Sequence, residues 1–163
     1  MTVDTATPGP PSFSKLTLLL TGGLNVLFST ILHSPLHGML SGRFILLSFK
    51  GRKSGKMYTL VVGYMREGDE IEVISPRSWW KNLRGENTSI RVLLQGKWRN
   101  GIAEAFHGDE VVVDATLRFM QKSPSLIRMY HIELDSNGQP KRESVRQATL
   151  NNALVRIRLT PSA

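Results

Sequence analysis

FILLSFKGRKSGKMYTLVVGYMR, Phe44 to Arg66, decides how the rest of the chain is read. FILLSFK, Phe44 to Lys50, has the two-residue period of a strand, and MYTLVVGYMR, Met57 to Arg66, is apolar on both faces as a central or barrel strand is. The loop between them carries Gly51, Ser54 and Gly55, and four cations, Lys50, Arg52, Lys53 and Lys56, fall within seven residues. Such a tip has two readings. Lysines at a hairpin end keep an edge soluble and unpaired. Alternatively, glycines that let backbone N–H groups converge, a hydroxyl and several cations make a socket for an anion.

Working outward, Glu67-Gly68-Asp69 supplies a tight turn before EIEVIS, where Ile71 and Val73 alternate with Glu70 and Glu72. SWWKNLRGEN, Ser78 to Asn87, is expected as a short helix with Ser78 as its N-cap and Trp79 and Leu83 as an i, i+4 apolar pair. TSIRVLLQ follows as a strand with Ile90, Val92 and Leu94 inward, turns at Gly96, and pairs with KWRNGIAEAF. Asp109 can cap a helix over Glu110 to Gln121, and Ser123-Pro124 opens a shorter helical piece carrying Arg128, Tyr130 and His131. DSNGQP reads as a loop, Lys141 to about Asn151 as a further helix, and ALVRIRLTP as the last strand, with Val155, Ile157 and Leu159 on one face. Six mostly antiparallel strands with helices at the corners predict a mainly β (α+β) protein built on a small closed or split β-barrel. Strict βαβ alternation is absent, which argues against a doubly wound sheet.

Before the hairpin, residues 1–14 read as a flexible arm, and Asp4 with no basic residue there speaks against a secretory signal. The next stretch, 15–42, contains LTLLLTGGLNVLFSTIL, Leu16 to Leu32, without a charge. Its wide apolar face predicts a helix that covers the main domain, covers a second subunit in a homodimer, or lies on a membrane surface. At seventeen residues with a Gly-Gly pair it falls short of the ~20 expected of a span. His33 and His37 are four apart, but Pro35 between them spoils a shared helical face and no further ligand lies near, so no metal is expected.

The 163 residues suit one domain with a real core, and without cysteine there is no disulfide framework, thiolate metal site or cysteine nucleophile. That fits a reducing cytoplasm, with peripheral attachment to the inner face of the membrane if residues 16–32 bind it. A formal charge of +8 asks for an acidic partner: nucleic acid, an anionic membrane surface or a polyanionic small molecule. Trp79, Trp80 and Trp98 form no stacking track, which ranks nucleic acid low.

Hydrolase signatures are missing, with no G-x-S-x-G and no H-E-x-x-H, and so are the nucleotide-binding G-x-G-x-x-G fingerprint and the Walker loop. What strengthens the anion reading of the hairpin is SPRSWWKNLR, where Arg77, Lys81 and Arg84 surround two tryptophans and an asparagine just after a strand. If both segments reach one barrel rim, they offer cations for a phosphate or carboxylate, and an aromatic wall with an amide for a flat heterocycle. One of the two indoles is expected only to pack the helix on the barrel.

Strand, G-R-K-S-G-K, strand, G-D turn, strand ending in Ser, then W-W-x-N-L-R before another strand: this order, from Arg43 to about Phe106, resembles the deazaflavin-dependent nitroreductase and quinone reductase family. The resemblance implies a flavin-reductase-like split barrel over 43–163 and the cofactor F420, an 8-hydroxy-5-deazaflavin with a phosphate and an oligoglutamate tail. It also implies hydride transfer to a quinone, nitroaromatic or other unsaturated, hydrophobic acceptor. An FMN-dependent reductase and a non-catalytic flavin-binding protein on the same barrel are the alternatives. Carried over by position, Arg52, Lys53 and Ser54 bind the phosphate tail, while Thr59, Leu60, Val61 and Val62 run beneath the ring. Ser75 and Pro76 end a strand beside it, and Trp79, Trp80 and Asn82 are further contacts. Met57, Tyr58 and Val61 stand where the family often has Pro, Arg and a later Pro, so Lys56 or Arg77 is expected to replace the missing arginine at Tyr58. The segment before Trp79 is shorter than in many members. Tyr130 is the nearest counterpart of a tyrosine-rich substrate segment.

Overall fold

In the computed structural model, which describes residues 42–85, 87–108 and 110–161, the hairpin forms where the alternation places it. Strand β1 (Phe44–Lys50) runs antiparallel to β2 (Met57–Gly63), with Leu47 opposite Leu60 and Phe49 opposite Tyr58. Then come β3 (Met65–Glu67), β4 (Glu70–Ser75), a 3-10 turn (Ser78–Leu83), β5 (Thr88–Leu94) and β6 (Lys97–His107). Helices α1 (Glu110–Lys122), α2 (Ser125–Met129) and α3 (Arg142–Ala148) precede the closing strand β7 (Ala153–Leu159). All pairings are antiparallel, in the order β2-β1-β5-β6-β7-β4-β3.

The two ends of that order are consecutive in sequence, separated by Tyr64 alone. The segment expected as one strand, Met57 to Arg66, is therefore two: its first part hydrogen-bonds β1 and its second part β4. A single flat strand cannot reach both neighbours, so the chain breaks at Gly63-Tyr64, where Gly63 offers no side chain to resist the bend. The Tyr64 N–H donates to the Arg43 carbonyl at 3.2 Å instead of to the ladder. The strand count is seven rather than six for this reason, and the break curls the sheet back toward its own edge as a split barrel requires.

Alternate residues point inward and meet. Ile45, Leu47 and Phe49 of β1, Ile71 and Val73 of β4, Ile90, Val92 and Leu94 of β5, and Val155, Ile157 and Leu159 of β7 form one buried cluster. Full burial of each such side chain is worth roughly 1.5–3 kcal/mol. Outward along the same strands, Leu46 and Leu93 pack with Val61 and Trp98.

Helix α1 lies on the sheet through Val112 and Ala115 against Leu154, and meets α2 and α3 through Val113, Met120, Ile132 and Val145. Glu72 faces outward as its alternation predicts, yet it is buried, because α1 brings Arg118 over it. Arg118 Nη2 donates to both Glu72 oxygens at 2.9 and 2.8 Å, and Arg156 Nη2 donates at 3.0 Å. On the rim of the helices, Glu110 accepts from Arg146 Nε at 2.9 Å and Arg142 Nη2 at 2.6 Å, joining α1 to α3.

Other boundaries shift. The helix expected over Ser78 to Asn87 is a 3-10 turn ending at Leu83, because Arg84 is already extended with φ −67° and ψ 133°; Gly85 and Asn87 beyond it take positive φ. Its N-cap is Arg77 rather than Ser78, with no side-chain capping bond. Helix α3 is shorter than the expected Lys141 to Asn151, ending at Ala148 where Thr149 Oγ1 turns back to the Val145 carbonyl at 2.8 Å. The proposed Asp109 cap, the 1–14 arm, the 16–32 helix and the His33–His37 pair lie outside the described residues. Among the described residues no helix is long and apolar enough to cross a membrane.

Candidate functional site

The hairpin tip is folded tightly by its own backbone. Gly51 N–H donates to the Lys56 carbonyl at 2.7 Å, and Gly55 N–H to the Gly51 carbonyl at 2.8 Å. Gly55 adopts φ +67°, and Gly51 is needed for a different reason: a Cβ there would stand 2.4 Å from Tyr58 Cε2 and 2.7 Å from Ser54 Oγ. The tip is thus closed over the Tyr58 ring. Tyr58 stacks on Phe49 with centroids 6.0 Å apart, and Phe49 in turn stacks on Trp79 at 5.9 Å, so an aromatic row runs from the hairpin to the 3-10 turn.

Asn82 joins the two sequence segments. Its Oδ1 accepts the Arg52 N–H at 3.1 Å and its Nδ2 donates to the Trp79 carbonyl at 3.0 Å. The two segments, thirty residues apart in the chain, therefore meet at one rim. Between them opens a cleft of about 550 Å³ lined by Lys50, Arg52, Lys53 and Arg84, with Ser54 and Thr88 as hydroxyls and Asn82 as an amide. No described carboxylate lines it. By contrast, two smaller concavities of about 180 and 240 Å³ are lined by Glu70 and Arg156 together with further acids and arginines, where the charges already answer one another. Four cations without a described counter-ion line the hairpin cleft, and charge-assisted bonds from them suit an anion there. Phosphate and carboxylate both suit that donor set.

Only some of the expected residues line this cleft. Arg52, Lys53, Ser54 and Asn82 line it directly. Lys56 closes the hairpin through its backbone, its N–H also reaching Ser54 Oγ at 3.3 Å. Of the four residues expected beneath a ring, Leu60 and Val62 turn into the barrel core while Val61 packs on the opposite face of β2, which it shares with Thr59. Thr59 Oγ1 donates to Ser48 Oγ at 3.4 Å. Ser75 is buried and acts on its neighbours: its Oγ accepts from Trp79 Nε1 at 3.0 Å and from the Arg77 N–H at 3.2 Å, which fixes the indole against the end of β4. Pro76 and Arg77 are exposed.

The tryptophans divide their work. Trp80 is buried, stacks on His107 at 4.7 Å and carries the Arg84 guanidinium 5.2 Å above its ring, so it is the indole that packs. Trp79 is half-buried and also packs against the barrel core, stacked on Phe49, without lining the cleft. Tyr130 is not brought there. It packs in the helical cluster with Leu117, Leu126 and Ile127, and that burial raises its hydroxyl pKa above the usual tyrosine value.

Lys50, Arg84 and Thr88 line the cleft without having been singled out as ligands. The cations Lys50 and Arg84 stood within the two motifs and could have been included. Thr88 carries no signal of its own; it arrives because β5 pairs with β1, Ser48 opposite Arg91, and alternation cannot show which strands are neighbours.

Comparison with known proteins bears on the family. The family model described as F420H(2)-dependent quinone reductase matches residues 32–125, more than half of the 163. No curated protein matches the sequence. Among solved structures the chain is similar to one from Listeria innocua provisionally titled a pyridoxamine 5′-phosphate oxidase, at 11% identity and TM-score 0.44, covering 85% of this chain and 95% of that one. It is similar to a protein of unknown function from Agrobacterium tumefaciens at 17% identity and TM-score 0.48, covering 96% of this chain and 58% of that one. A third, titled F420 reductase, has 13% identity and TM-score 0.39, covering 82% and 93%. Superpositions this loose leave the assignment to the family match. On that match, the chain belongs to the F420H(2)-dependent quinone reductase family of oxidoreductases.

Proposed function

We propose that the cleft between the G-R-K-S-G-K hairpin and the Trp79–Asn82 turn binds the tail of coenzyme F420, and that the protein uses the reduced cofactor to reduce a quinone, nitroaromatic or similar acceptor. The observation that supports this reading is the Asn82 bridge, which ties the backbone of Arg52 in one motif to that of Trp79 in the other. When bound, a reduced deazaflavin supplies the hydride; the chain's part is to bind, orient and exclude water.

Arg52, Lys53 and Ser54 are proposed to hold the phosphate, with Lys50 and Arg84 at the sides of the same cleft for the carboxylates of the tail. Trp79, locked by Ser75, and Tyr58, locked by Phe49, form the apolar wall that keeps water from one side of a flat ring. Of these four β2 residues only Thr59 and Val61 share the face turned away from the barrel core; Leu60 and Val62 serve a ring from behind, by setting the position of the strand. Lys56 and Arg77, both exposed, remain the proposed replacements for an arginine at Tyr58. Contact of residues 16–32 with a membrane surface, where a lipid-soluble quinone resides, is a further part of the proposal. Deleting residues 1–42 and measuring partition onto vesicles tests it.

The function is tested by titrating the purified protein with F420 and with FMN, followed by absorbance and fluorescence, and then offering quinones and nitroaromatics to the reduced complex. Tight F420 binding with acceptor-dependent oxidation is expected. Preference for FMN selects the flavin alternative, binding without oxidation by any acceptor selects a non-catalytic carrier, and binding of neither overturns the reading.

A further inference from the structure

Tyr58 stands at the start of β2 directly behind the hairpin tip, and its hydroxyl has one partner among the described residues: Oη lies 3.2 Å from Ser54 Oγ. A serine hydroxyl offers one proton and two acceptor lone pairs. The Lys56 backbone N–H, which can only donate, takes one of the lone pairs at 3.3 Å. If the tyrosine also donates, both lone pairs are filled and the serine proton is the single valence left. If the serine donates instead, its proton is spent inside the protein, and the group facing the cleft can offer an anion nothing.

We propose that Tyr58 is a positioning residue that holds Ser54 as a donor toward the anion in the cleft. The inference rests on the reading of this cleft as the phosphate site. The tyrosine is well held for the task. Its ring is stacked on Phe49, which is 1% exposed and anchored in the barrel core, and the missing Cβ of Gly51 leaves the room that the ring occupies. These contacts place the hydroxyl within reach of Ser54. A phenol is also the more acidic of the two hydroxyls, so donation from Tyr58 to Ser54 is the favoured direction once an anion claims the serine proton. A chain of two hydroxyls ending on a phosphate oxygen polarises along its length, which strengthens the last bond. A neutral relay at this position gives the site direction rather than charge.

The test is a double-mutant cycle on F420 affinity, with the ring-only deazaflavin, which lacks phosphate and tail, as a second probe and thermal melting as a control. Tyr58→Phe keeps the ring and its stack on Phe49 and removes only Oη. It is expected to weaken F420 binding by about 3- to 10-fold, the range of one modest hydrogen bond, and to leave the melting temperature and the ring-only affinity unmoved. In the Ser54→Ala background the same change is expected to have no effect, because no proton remains to be directed. An undiminished F420 affinity in Tyr58→Phe overturns the inference, and so does an equal loss with and without Ser54. If Ser54→Ala itself leaves F420 affinity unchanged, the phosphate does not sit on this hydroxyl, and both the reading and the inference fall.

Discussion

Asn82→Ala removes the joint between the hairpin and the 3-10 turn while leaving every cation in place. Two bonds go: Arg52 N–H to Oδ1 at 3.1 Å and Nδ2 to the Trp79 carbonyl at 3.0 Å. Each is worth about 1 kcal/mol net, so the joint loses about 2 kcal/mol. If binding must restore that order, F420 affinity falls by about 30-fold, since about 1.4 kcal/mol is a factor of ten. Arg52 is exposed, and water that takes over its N–H reduces the loss toward about fivefold. Fluorescence titration with F420 reads the change. Asn82→Asp supplies a sharper contrast: it keeps an acceptor for Arg52 but loses the donor to Trp79 and sets a carboxylate in the anion cleft. Its affinity loss should be at least as large as that of the alanine variant and should shrink as salt is raised. F420 binding by Asn82→Ala within twofold of the parent, with an unchanged melting temperature, would refute the idea that this amide holds the two motifs together.

Glu72→Gln should destabilise the fold by about 1–3 kcal/mol, because two arginines then face a neutral amide, with the partly exposed guanidiniums keeping the cost below that of a fully buried pair; urea melts would show it, and an unchanged midpoint would contradict it. Glu110 is held at a pKa of about 2, below its ordinary 4.5, chiefly by hydrogen bonds from Arg146 and Arg142. A depressed carboxylate pKa adds stability that is complete above 4.5 and lost as pH falls through 2, so the advantage of the parent over Glu110→Gln should persist at pH 6 and vanish near pH 2. Gly51→Ala pushes a methyl into the Tyr58 ring and Ser54 Oγ; its cost, about 1–3 kcal/mol, should be smaller in a Tyr58→Ala background, and equal costs in both would place the strain elsewhere.

Alternation carried most of the barrel. Ile71 and Val73, Ile90, Val92 and Leu94, and Val155, Ile157 and Leu159 face the core as their period-two spacing predicts. Alternation reports a face and not a neighbour, so neither the adjacency of β1 and β5 nor the placing of β7 between β6 and β4 could be read from it. It also carries no mark of a bend, and the break at Tyr64 became visible only through the two different partners of one segment. Glu72 shows the same limit: its outward direction was legible, but its burial depends on Arg118, forty-six residues away. At the site, cation clustering and two motifs pointed to the cleft, whereas the Asn82 bridge and the Tyr58–Ser54 pair needed the folded hairpin. Tyr130 was chosen by position along the chain, and its apolar neighbours in the helical cluster come from residues well before and just beside it.

The central claim is that the hairpin cleft recognises the anionic tail of the cofactor. Its most direct measurement compares the affinity of the protein for F420 with that for the ring-only deazaflavin, before and after Arg52→Ala/Lys53→Ala. With charge-assisted bonds at about 1.5–3 kcal/mol each, F420 should bind at least about 100-fold more tightly than the ring alone. That advantage should fall by at least about tenfold in the double variant, the remainder resting on Lys50, Arg84 and Ser54, and should weaken with salt. Equal affinities for the two ligands in the parent protein, or an advantage unchanged by loss of both cations, would contradict the account.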